Sequence, residues 1–179
     1  GMVQRLAQLG LITHRPYHGV RLTDAGRRIA LEVVRHHRLL ETFLARTLGY
    51  RWDEVHAEAE RLEHVISERF EQRISEVLGD PTHDPHGDPI PRPDLSMPPI
   101  EPTRPLPAVG EGHGGRLVRV RAQDSDTLAM LTRLGLRLGV RVDVVEQTGG
   151  AVRVEVDEAR YLLPLDLAAA LSIELEEQT

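Results

Sequence analysis

The sequence predicts a mainly helical chain that ends in a small β domain, and three observations support this fold class. Apolar residues recur at helical spacing between about residues 24 and 78. Ten of the 12 prolines lie between residues 81 and 107. From residue 115 onward, apolar and polar residues alternate in short runs, which is typical of strands. We therefore expect a helical region, a proline-rich linker and a β region, in this order.

The composition limits the classes of site and partner. The 179 residues allow one domain with a core, or two small ones. The absence of cysteine excludes disulfides and thiolate metal sites, so His, Asp, Glu, amide or backbone groups must hold any metal. No apolar run approaches a membrane span and no signal peptide is recognisable, so we expect a cytoplasmic protein without membrane association.

The net charge of −6 is unevenly distributed. Residues 1–50 contain eight arginines against three acidic residues, a balance of +5, whereas residues 51–80 contain four arginines against nine acidic residues, a balance of −5. The first region could therefore meet a phosphate backbone, and the second could hold cations.

Residues 2–23 are predicted to form the back half of a winged-helix domain. The spacing of Val3, Leu6 and Leu9 predicts the end of an amphipathic helix that stops at Gly10. The runs LITHR and VRLT, joined by residues 16–19, predict a short hairpin. A helix followed by a two-stranded ribbon is the order found in that half of the fold.

Residues 24–80 are predicted to form three helices. The first runs from Asp24 to about Leu48, with Thr23 as its N-cap and Gly49 at its end. The second lies within residues 52–64, and the third is SERFEQRISEVLG. Three helices of this size leave apolar surface uncovered, so we expect a helical dimer interface here.

The second helix, WDEVHAEAERLEH, is predicted to begin at Asp53 as its cap and to carry a face rich in potential metal ligands. At about 100° per residue, one arc of the helix holds His56, Glu60, Glu63 and His64. A divalent cation would convert the repulsion between these carboxylates into coordination. A solvated acidic face with two surface histidines is the alternative interpretation.

A second pair of potential ligands lies on the first helix. His37 and Glu41 stand four residues apart, so they share a face and can chelate one ion together, whereas His36 points about 100° away and is expected to be a bystander. An exposed pair that stabilises the helix slightly is an equally good interpretation.

The linker, residues 81–107, is predicted to be extended and semi-rigid. It contains His83 and His86, for which a loop held by proline turns is favoured over a metal role. Residues 108–179 then show a strand, a short helix ended by Gly135, and a hairpin around residues 148–150, with ARYLLP and LSIEL as edge strands. Strands of this length and spacing suggest a small SH3-like barrel.

The parts, in this order, resemble the diphtheria-toxin-repressor family of metal-dependent transcription regulators, including its manganese-responsive branch. The segments that carry the resemblance span nearly the whole chain: GLITHRPYHGVRLTDAGRRIA, RHHRLLETFL, WDEVHAEAERLEHVIS, DPHGDPIP and LTRLGLRLGVRVDVVE. The resemblance implies a homodimeric repressor that binds a double-stranded DNA operator, holds two divalent ions per subunit, and ends in an SH3-like (FeoA-like) domain.

The resemblance also implies two ligand sets. The primary site would take Glu60, Glu63 and His64, with a further ligand from the first helix of the winged domain. The ancillary site would take His37, Glu41 and His56. The barrel would add a ligand near Asp124; the iron branch has an amide three positions on, where this chain has Thr127, and Asp126 is a substitute.

The implied ions are Mn(II) or Fe(II). Iron-branch members have a cysteine at the position of Glu60, and a carboxylate there, as in the manganese branch, favours the harder ions. Mn(II) is our first expectation and Fe(II) our second.

The resemblance further implies two helices and the start of a recognition helix before Val3. Within this chain the candidate DNA contacts are Gln4, Arg5 and Arg15, mainly to phosphates, with ordinary surface side chains as the alternative. A metal-buffering or partner-binding protein without DNA binding is the alternative function. We expect no enzymatic activity, because a di-iron bundle would repeat Glu-x-x-His on two helices and this chain does not.

Overall fold

The N-terminal part of the molecule is a short helix followed by a hairpin. The computed structural model describes residues 1–15, 19–99, 102–122 and 124–175. Helix α1 (Met2–Gln8) precedes the antiparallel strands β1 (Ile12–Arg15) and β2 (Gly19–Leu22). The predicted helix and strands are thus present, whereas the turn predicted around residues 16–18 lies outside the described residues.

The longest element is helix α2 (Asp24–Leu48), and both of its ends match the prediction. The Thr23 side chain accepts a hydrogen bond from the Gly26 N–H at 3.1 Å, and Gly49 ends the helix with φ of 75°. A Cβ atom at Gly26 would lie only 1.9 Å from the Leu11 carbonyl oxygen. Glycine at this position therefore allows the first turn of α2 to approach the hairpin closely.

Helix α3 (Val55–Leu62) is shorter than the helix predicted within residues 52–64, and the prediction that Asp53 caps it was wrong. The two oxygens of the Asp53 carboxylate accept hydrogen bonds from the Arg51 guanidinium at 3.0 and 2.8 Å. Residues 63–65 form a turn. The predicted ligand face is therefore divided between a helix and a turn.

Helix α4 (Glu68–Leu78) completes the helical domain, which we define as α2 to α4 together with residues 80–99. Ser67 is its N-cap and accepts a hydrogen bond from the Phe70 N–H at 3.3 Å. The buried core of the domain draws on all three helices and on the stretch after them: Leu39, Leu40, Leu44, Val55, Ala59, Ile74 and Ile90.

Residues 80–99, which we call the proline segment, pack against α2, so the prediction of an extended linker was wrong for this stretch. Ile90 is only 2% exposed. The guanidinium of Arg35 donates to the Pro91 carbonyl at 2.6 Å, and that of Arg38 donates to the Pro89 carbonyl at 2.5 Å. Because proline has no N–H, its carbonyl is the only backbone group that needs a partner, and arginines of α2 supply it.

The β domain, described over residues 102–122 and 124–175, contains six strands: β3 (Arg104–Pro105), β4 (Gly114–Val120), β5 (Arg141–Gln147), β6 (Ala151–Val156), β7 (Ala159–Pro164) and β8 (Leu171–Leu175). They form one sheet in the order β3-β8-β4-β5-β6-β7, which fits an SH3-like fold. Helix α5 (Ser125–Arg133) follows β4, and helix α6 (Leu165–Ala170) joins β7 to β8. The edge position predicted for LSIEL was wrong, because the short strand β3 pairs with β8 on its outer side.

The two domains meet through the proline segment and the loop before α3. The Trp52 indole N–H donates to Thr132 Oγ1 at 2.7 Å, and the Val120 N–H donates to the His86 carbonyl at 2.8 Å. No helix in the described ranges is both long enough and apolar enough to cross a membrane.

Candidate metal centre

Three potential ligand atoms converge between α2 and α3. His37 and Glu41 stand one turn apart on α2, and His56 faces them from α3. His37 Nε2 lies 2.9 Å from Glu41 Oε1 and 3.0 Å from His56 Nδ1. Glu41 Oε1 and His56 Nδ1 are 3.1 Å apart. We call these residues the first ligand group; they are the three that the resemblance assigns to an ancillary site.

The three atoms are close enough for one divalent ion to contact all of them. Their separations, 2.9, 3.0 and 3.1 Å, are those of hydrogen bonds among the three side chains. A mixed set of imidazole nitrogen and carboxylate oxygen suits divalent transition ions such as Mn²⁺ and Fe²⁺.

Glu63 contacts the other side of the His37 ring. Its Oε2 lies 2.6 Å from His37 Nδ1, and its Oε1 lies 3.3 Å from His64 Nε2. A carboxylate that accepts the N–H of a ligating imidazole fixes the tautomer and directs the other nitrogen toward the ion. In this structure Glu63 therefore orients a member of the first ligand group.

A second ligand group shares Glu41 and lies deeper in the molecule. Glu41, Asp84 and His86 each offer an atom within 4.8 Å of the other two, and all three residues are buried. Glu41 Oε2 lies 3.7 Å from His86 Nδ1. The two oxygens of one carboxylate thus face two different groups.

The proline segment holds Asp84 and His86 in place. Asp84 Oδ1 accepts hydrogen bonds from the backbone N–H groups of His86 and Asp88, at 2.8 and 2.9 Å. The imidazole Nε2 of His86 lies 2.8 Å from the Trp52 carbonyl oxygen. Since a carbonyl only accepts, Nε2 must carry the proton, and Nδ1 is the nitrogen that faces Glu41.

Burial and charge compete in setting the pKa values of this region. Burial alone would lower the pKa of His37, but the hydrogen bonds and charges of Glu41 and Glu63 outweigh it and raise that pKa. The pKa of His86 is raised in the same way, against burial, by Glu41. Burial opposes ionisation of Glu41, yet hydrogen bonds from the two imidazoles hold its pKa far below the usual range. For Asp84 burial prevails and raises the pKa to about 6.

The residues of the predicted primary set are only partly assembled. Glu63 and His64 are in contact, but the His64 side chain is 67% exposed. Glu60 is also exposed and, among the described residues, belongs to no group of three potential ligands. His64 lies in the turn at residues 63–65, beyond the end of α3, whereas Glu60 lies on α3 itself.

Asp124 has a local structural role. It is the N-cap of α5, and its Oδ1 accepts a hydrogen bond from the Thr127 N–H at 2.8 Å. This backbone bond also lowers the pKa of its carboxyl group. Neither Asp124 nor the neighbouring Asp126 joins a ligand group within the described ranges.

The remaining predicted residues lie at the surface or outside the site. Gln4 and Arg5 are exposed on α1. The side chain of Arg15 lies outside the described part of the structure. His36 stays apart from both ligand groups, as expected, and its Nε2 lies 2.9 Å from Glu71 Oε2.

Sequence reasoning did not place Asp84 and His86 beside Glu41, because both fall in a stretch that was interpreted as a linker. One local signal was available in DPHGD. An aspartate followed by proline and glycine favours a turn in which its own oxygen binds later backbone N–H groups, and this turn places an imidazole beside the carboxylate.

A helical domain that gathers imidazoles and carboxylates, joined to an SH3-like domain, defines a class of metal-binding protein. Residues 23–92 match the family "Iron dependent repressor, metal binding and dimerisation domain", and residues 104–175 match the FeoA domain. The chain belongs to the diphtheria-toxin-repressor family, whose members are transcriptional repressors and not enzymes.

Three similar proteins illustrate this membership. The chain is 35% identical over 184 residues to a diphtheria toxin repressor of Corynebacterium efficiens, covering 96% of this chain and 78% of that protein. It is 35% identical over 190 residues to the iron-dependent repressor IdeR of Mycobacterium tuberculosis, covering 96% and 80%. A solved manganese-dependent transcriptional repressor in complex with manganese superimposes with a TM-score of 0.89 at 42% identity, covering 97% of this chain and 82% of that one.

Proposed function

We propose that this protein is a homodimeric repressor that binds operator DNA in the cytoplasm when Mn(II) or Fe(II) occupies its ligand groups. The first ligand group carries the proposal, because three donor atoms of the types these ions accept converge at 2.9 to 3.1 Å from elements far apart in the sequence. Family membership supports the regulatory role, and the donor set supports the choice of ions.

The donors favour Mn(II), with Fe(II) second. Both ligand groups contain only imidazole nitrogen and carboxylate oxygen, and the chain has no cysteine to add a soft sulfur. Carboxylate oxygen is a ligand that suits manganese, and imidazole nitrogen is one that suits iron. A site that contains both ligand types can therefore bind either ion. We further propose two ions per subunit, for which the two ligand groups and the set Glu60, Glu63 and His64 are the candidate donors.

Helix α2 connects the ligand groups to the DNA-binding region, so metal binding can influence DNA binding through this helix. His37 and Glu41 of α2 and His56 of α3 would hold the ion between the two helices, and the ion would supply the charge that neutralises Glu41. At the other end of α2, the Thr23 hydroxyl donates to the Gly10 carbonyl at 2.7 Å and the Thr23 N–H donates to the Leu11 carbonyl at 3.0 Å. The orientation of the hairpin therefore follows α2, and ion binding selects one arrangement of the DNA-binding parts.

The exposed N-terminal region provides the DNA contacts in this proposal. Helix α1 and the hairpin form the back half of a winged-helix domain, with Gln4, Arg5 and Arg15 near phosphates. A dimer would place two such regions on a two-fold symmetric operator.

The test is a calorimetric titration of the metal-free protein with Mn(II). We compare the wild type with Glu41→Ala, which removes an oxygen from both ligand groups, and with Glu63→Ala, which removes the partner of His37. Glu58→Ala is the matched control, because Glu58 lies on α3 and pairs with Arg61 rather than with a ligand. We expect loss of binding for the first variant, about 10- to 100-fold weaker binding for the second and no change in the control.

A selection from random DNA duplexes, run with and without Mn(II), tests the regulatory part. Enrichment of a palindromic sequence only with Mn(II), and only by variants that still bind it, supports the repressor. Tight Mn(II) binding without any enriched sequence would favour a metal-buffering protein instead.

A further inference from the structure

Trp52 lies at the junction of the two domains. It is the only tryptophan in the chain and sits in the loop that leads into α3. Its side chain packs against the core of the β domain, and its indole N–H donates to Thr132 Oγ1 of α5 at 2.7 Å. The Thr132 hydroxyl in turn donates to the Leu128 carbonyl at 3.0 Å, so its lone pair is directed toward the indole.

The same residue also positions a member of the second ligand group. The Trp52 carbonyl accepts the hydrogen bond from His86 Nε2 at 2.8 Å. Its ring stacks on the imidazole, with ring centres 5.7 Å apart and an interplanar angle of 23°. Trp52 thereby fixes both the tautomer and the tilt of His86, and leaves Nδ1 available on the side of Glu41.

The ligand-bearing turn is held on the β domain from a second direction. The His86 carbonyl accepts the Val120 N–H of β4 at 2.8 Å, and the Asp88 carboxylate pairs with Arg119. The backbones of the turn and of β4 are in close contact at Gly87, because a Cβ atom there would lie 2.0 Å from the Val118 carbonyl oxygen. The second ligand group thus joins α2 to a turn whose position depends on the β domain.

We propose that Trp52 is a positioning residue that couples docking of the β domain to metal binding at Glu41, Asp84 and His86. This proposal rests on the proposed function, since it requires that His86 binds a metal. Whatever orients His86 for the ion also anchors the β domain, so each event strengthens the other by the same factor. The β domain thereby acts as a determinant of metal affinity.

The experiment is a double-mutant cycle on Mn(II) affinity, measured by calorimetry. Thr132→Val removes the acceptor of the indole N–H, and Trp52→Phe removes the donor while keeping an aromatic ring beside His86. One Mn(II)-binding event should be abolished by His86→Ala. We expect each single variant to weaken the affinity of that same event by about five- to tenfold. The double variant should bind Mn(II) no more weakly than the weaker of the two single variants, because both substitutions break the same hydrogen bond between Trp52 and Thr132.

Two variants control for general effects of the substitution. Thr132→Ser keeps the hydroxyl and should bind Mn(II) like the wild type. Thr148→Val removes another hydroxyl that donates to a backbone carbonyl of the β domain, that of Ala151 at 3.1 Å, and should also leave affinity unchanged.

A second readout uses the fluorescence of Trp52. Saturation with Mn(II) should protect the wild-type indole from quenching by acrylamide, and Thr132→Val should lose most of this protection. If the wild type and His86→Ala bind Mn(II) equally, the ligand role of His86 is wrong and the coupling falls with it. If His86→Ala abolishes an event that Thr132→Val and Trp52→Phe leave unchanged, the ligand role stands and the coupling through Trp52 is wrong.

Discussion

Glu41 is the residue on which both ligand groups depend. It is 2% exposed, and a carboxylate so deeply buried needs nearby positive charge. In the absence of an ion, protons on the imidazoles supply that charge, which is why the pKa values of His37 and His86 are raised. Protons and a divalent ion are therefore alternative partners of the same carboxylate.

This competition predicts that metal binding releases protons. Because the pKa values of His37 and His86 are raised, both imidazoles hold protons at pH 6 that an ion must displace, whereas Glu41 is already ionised. The apparent affinity for Mn(II) should therefore rise between pH 6 and pH 8, and the number of protons released should fall over the same range. Calorimetry in buffers of different ionisation enthalpy measures both quantities. An affinity independent of pH would show that the imidazoles do not bind the ion.

The carboxyl group of Asp84 predicts a pH effect on stability in the metal-free protein. Burial raises its pKa from 3.8 to about 6. The folded state then binds this proton more tightly than the unfolded state, so stability is lost as the pH rises from about 4 through 6. Asp84→Asn is neutral at every pH and keeps an oxygen to accept the N–H groups of His86 and Asp88. We expect the metal-free variant to be more stable than the wild type by about 2 kcal/mol at pH 8, and about equally stable at pH 4.

Urea unfolding at a series of pH values measures this difference. Saturating Mn(II) should reverse the order of the two proteins at pH 8, because only the wild type keeps the ligand and gains the free energy of binding. A constant difference between pH 4 and pH 8 would contradict the raised pKa of Asp84.

At the scale of elements, prediction succeeded where neighbouring residues decide the structure. Thr23 and Gly49 mark the ends of α2 in the sequence as they do in the structure. The proline segment escaped prediction because its carbonyls find their partners in Arg35 and Arg38, 56 and 51 residues away in the chain. A stretch rich in proline shows only that it cannot form a helix or a central strand, and not which surface it will cover.

In the candidate site, too, local spacing predicted some of the residues, whereas others depend on contacts between distant parts of the chain. Helical spacing places His37 and Glu41 on one face, and the resemblance added His56 from the next helix. His86 meets Glu41 only after the proline segment has folded back onto α2, and no local pattern determines that return. The opposite error concerns the length of the second helix, because ideal helical geometry was continued past Leu62, where α3 ends, so that Glu63 and His64 lie in a turn.

Substitution of Gly87 should affect both stability and metal binding, because Gly87 lies in the turn that carries Asp84 and His86. This residue has φ of 83°, and a Cβ atom there would lie 2.0 Å from a backbone oxygen of β4. Gly87→Ala should therefore lower the free energy of unfolding by about 2 kcal/mol or more and weaken Mn(II) binding. Gly79→Ala is the matched control, since its φ of 74° is similar but nothing lies within 4 Å of the added atom. We expect it to cost about 1 kcal/mol in urea unfolding and to leave Mn(II) affinity unchanged; equal effects of the two variants would show that the contact with β4 is unimportant.

For the whole molecule, the ligand groups and the exposed apolar side chains of the helical domain lie on different elements. The ligand groups draw on α2, α3 and the proline segment, whereas α4 contributes no ligand among the described residues. Helix α4 instead exposes apolar side chains, with Phe70 48% and Val77 68% exposed. These two residues are seven positions apart and lie on one face, beside the buried Ile74.

We expect this face of α4 to form part of the dimer interface, because apolar residues aligned on one helix are costly to leave in water. Phe70→Glu would place a charge in that interface and should weaken dimerisation by about thirtyfold or more, the equivalent of about 2 kcal/mol. Sedimentation velocity over a range of protein concentrations measures the shift from dimer to monomer. Leu162→Glu is the control, because Leu162 is similarly exposed, at 56%, but lies on β7 at the edge of the β domain. If Phe70→Glu remained dimeric while Leu162→Glu dissociated, the subunits would have to associate through the β domain, and α4 would need another explanation for its apolar face.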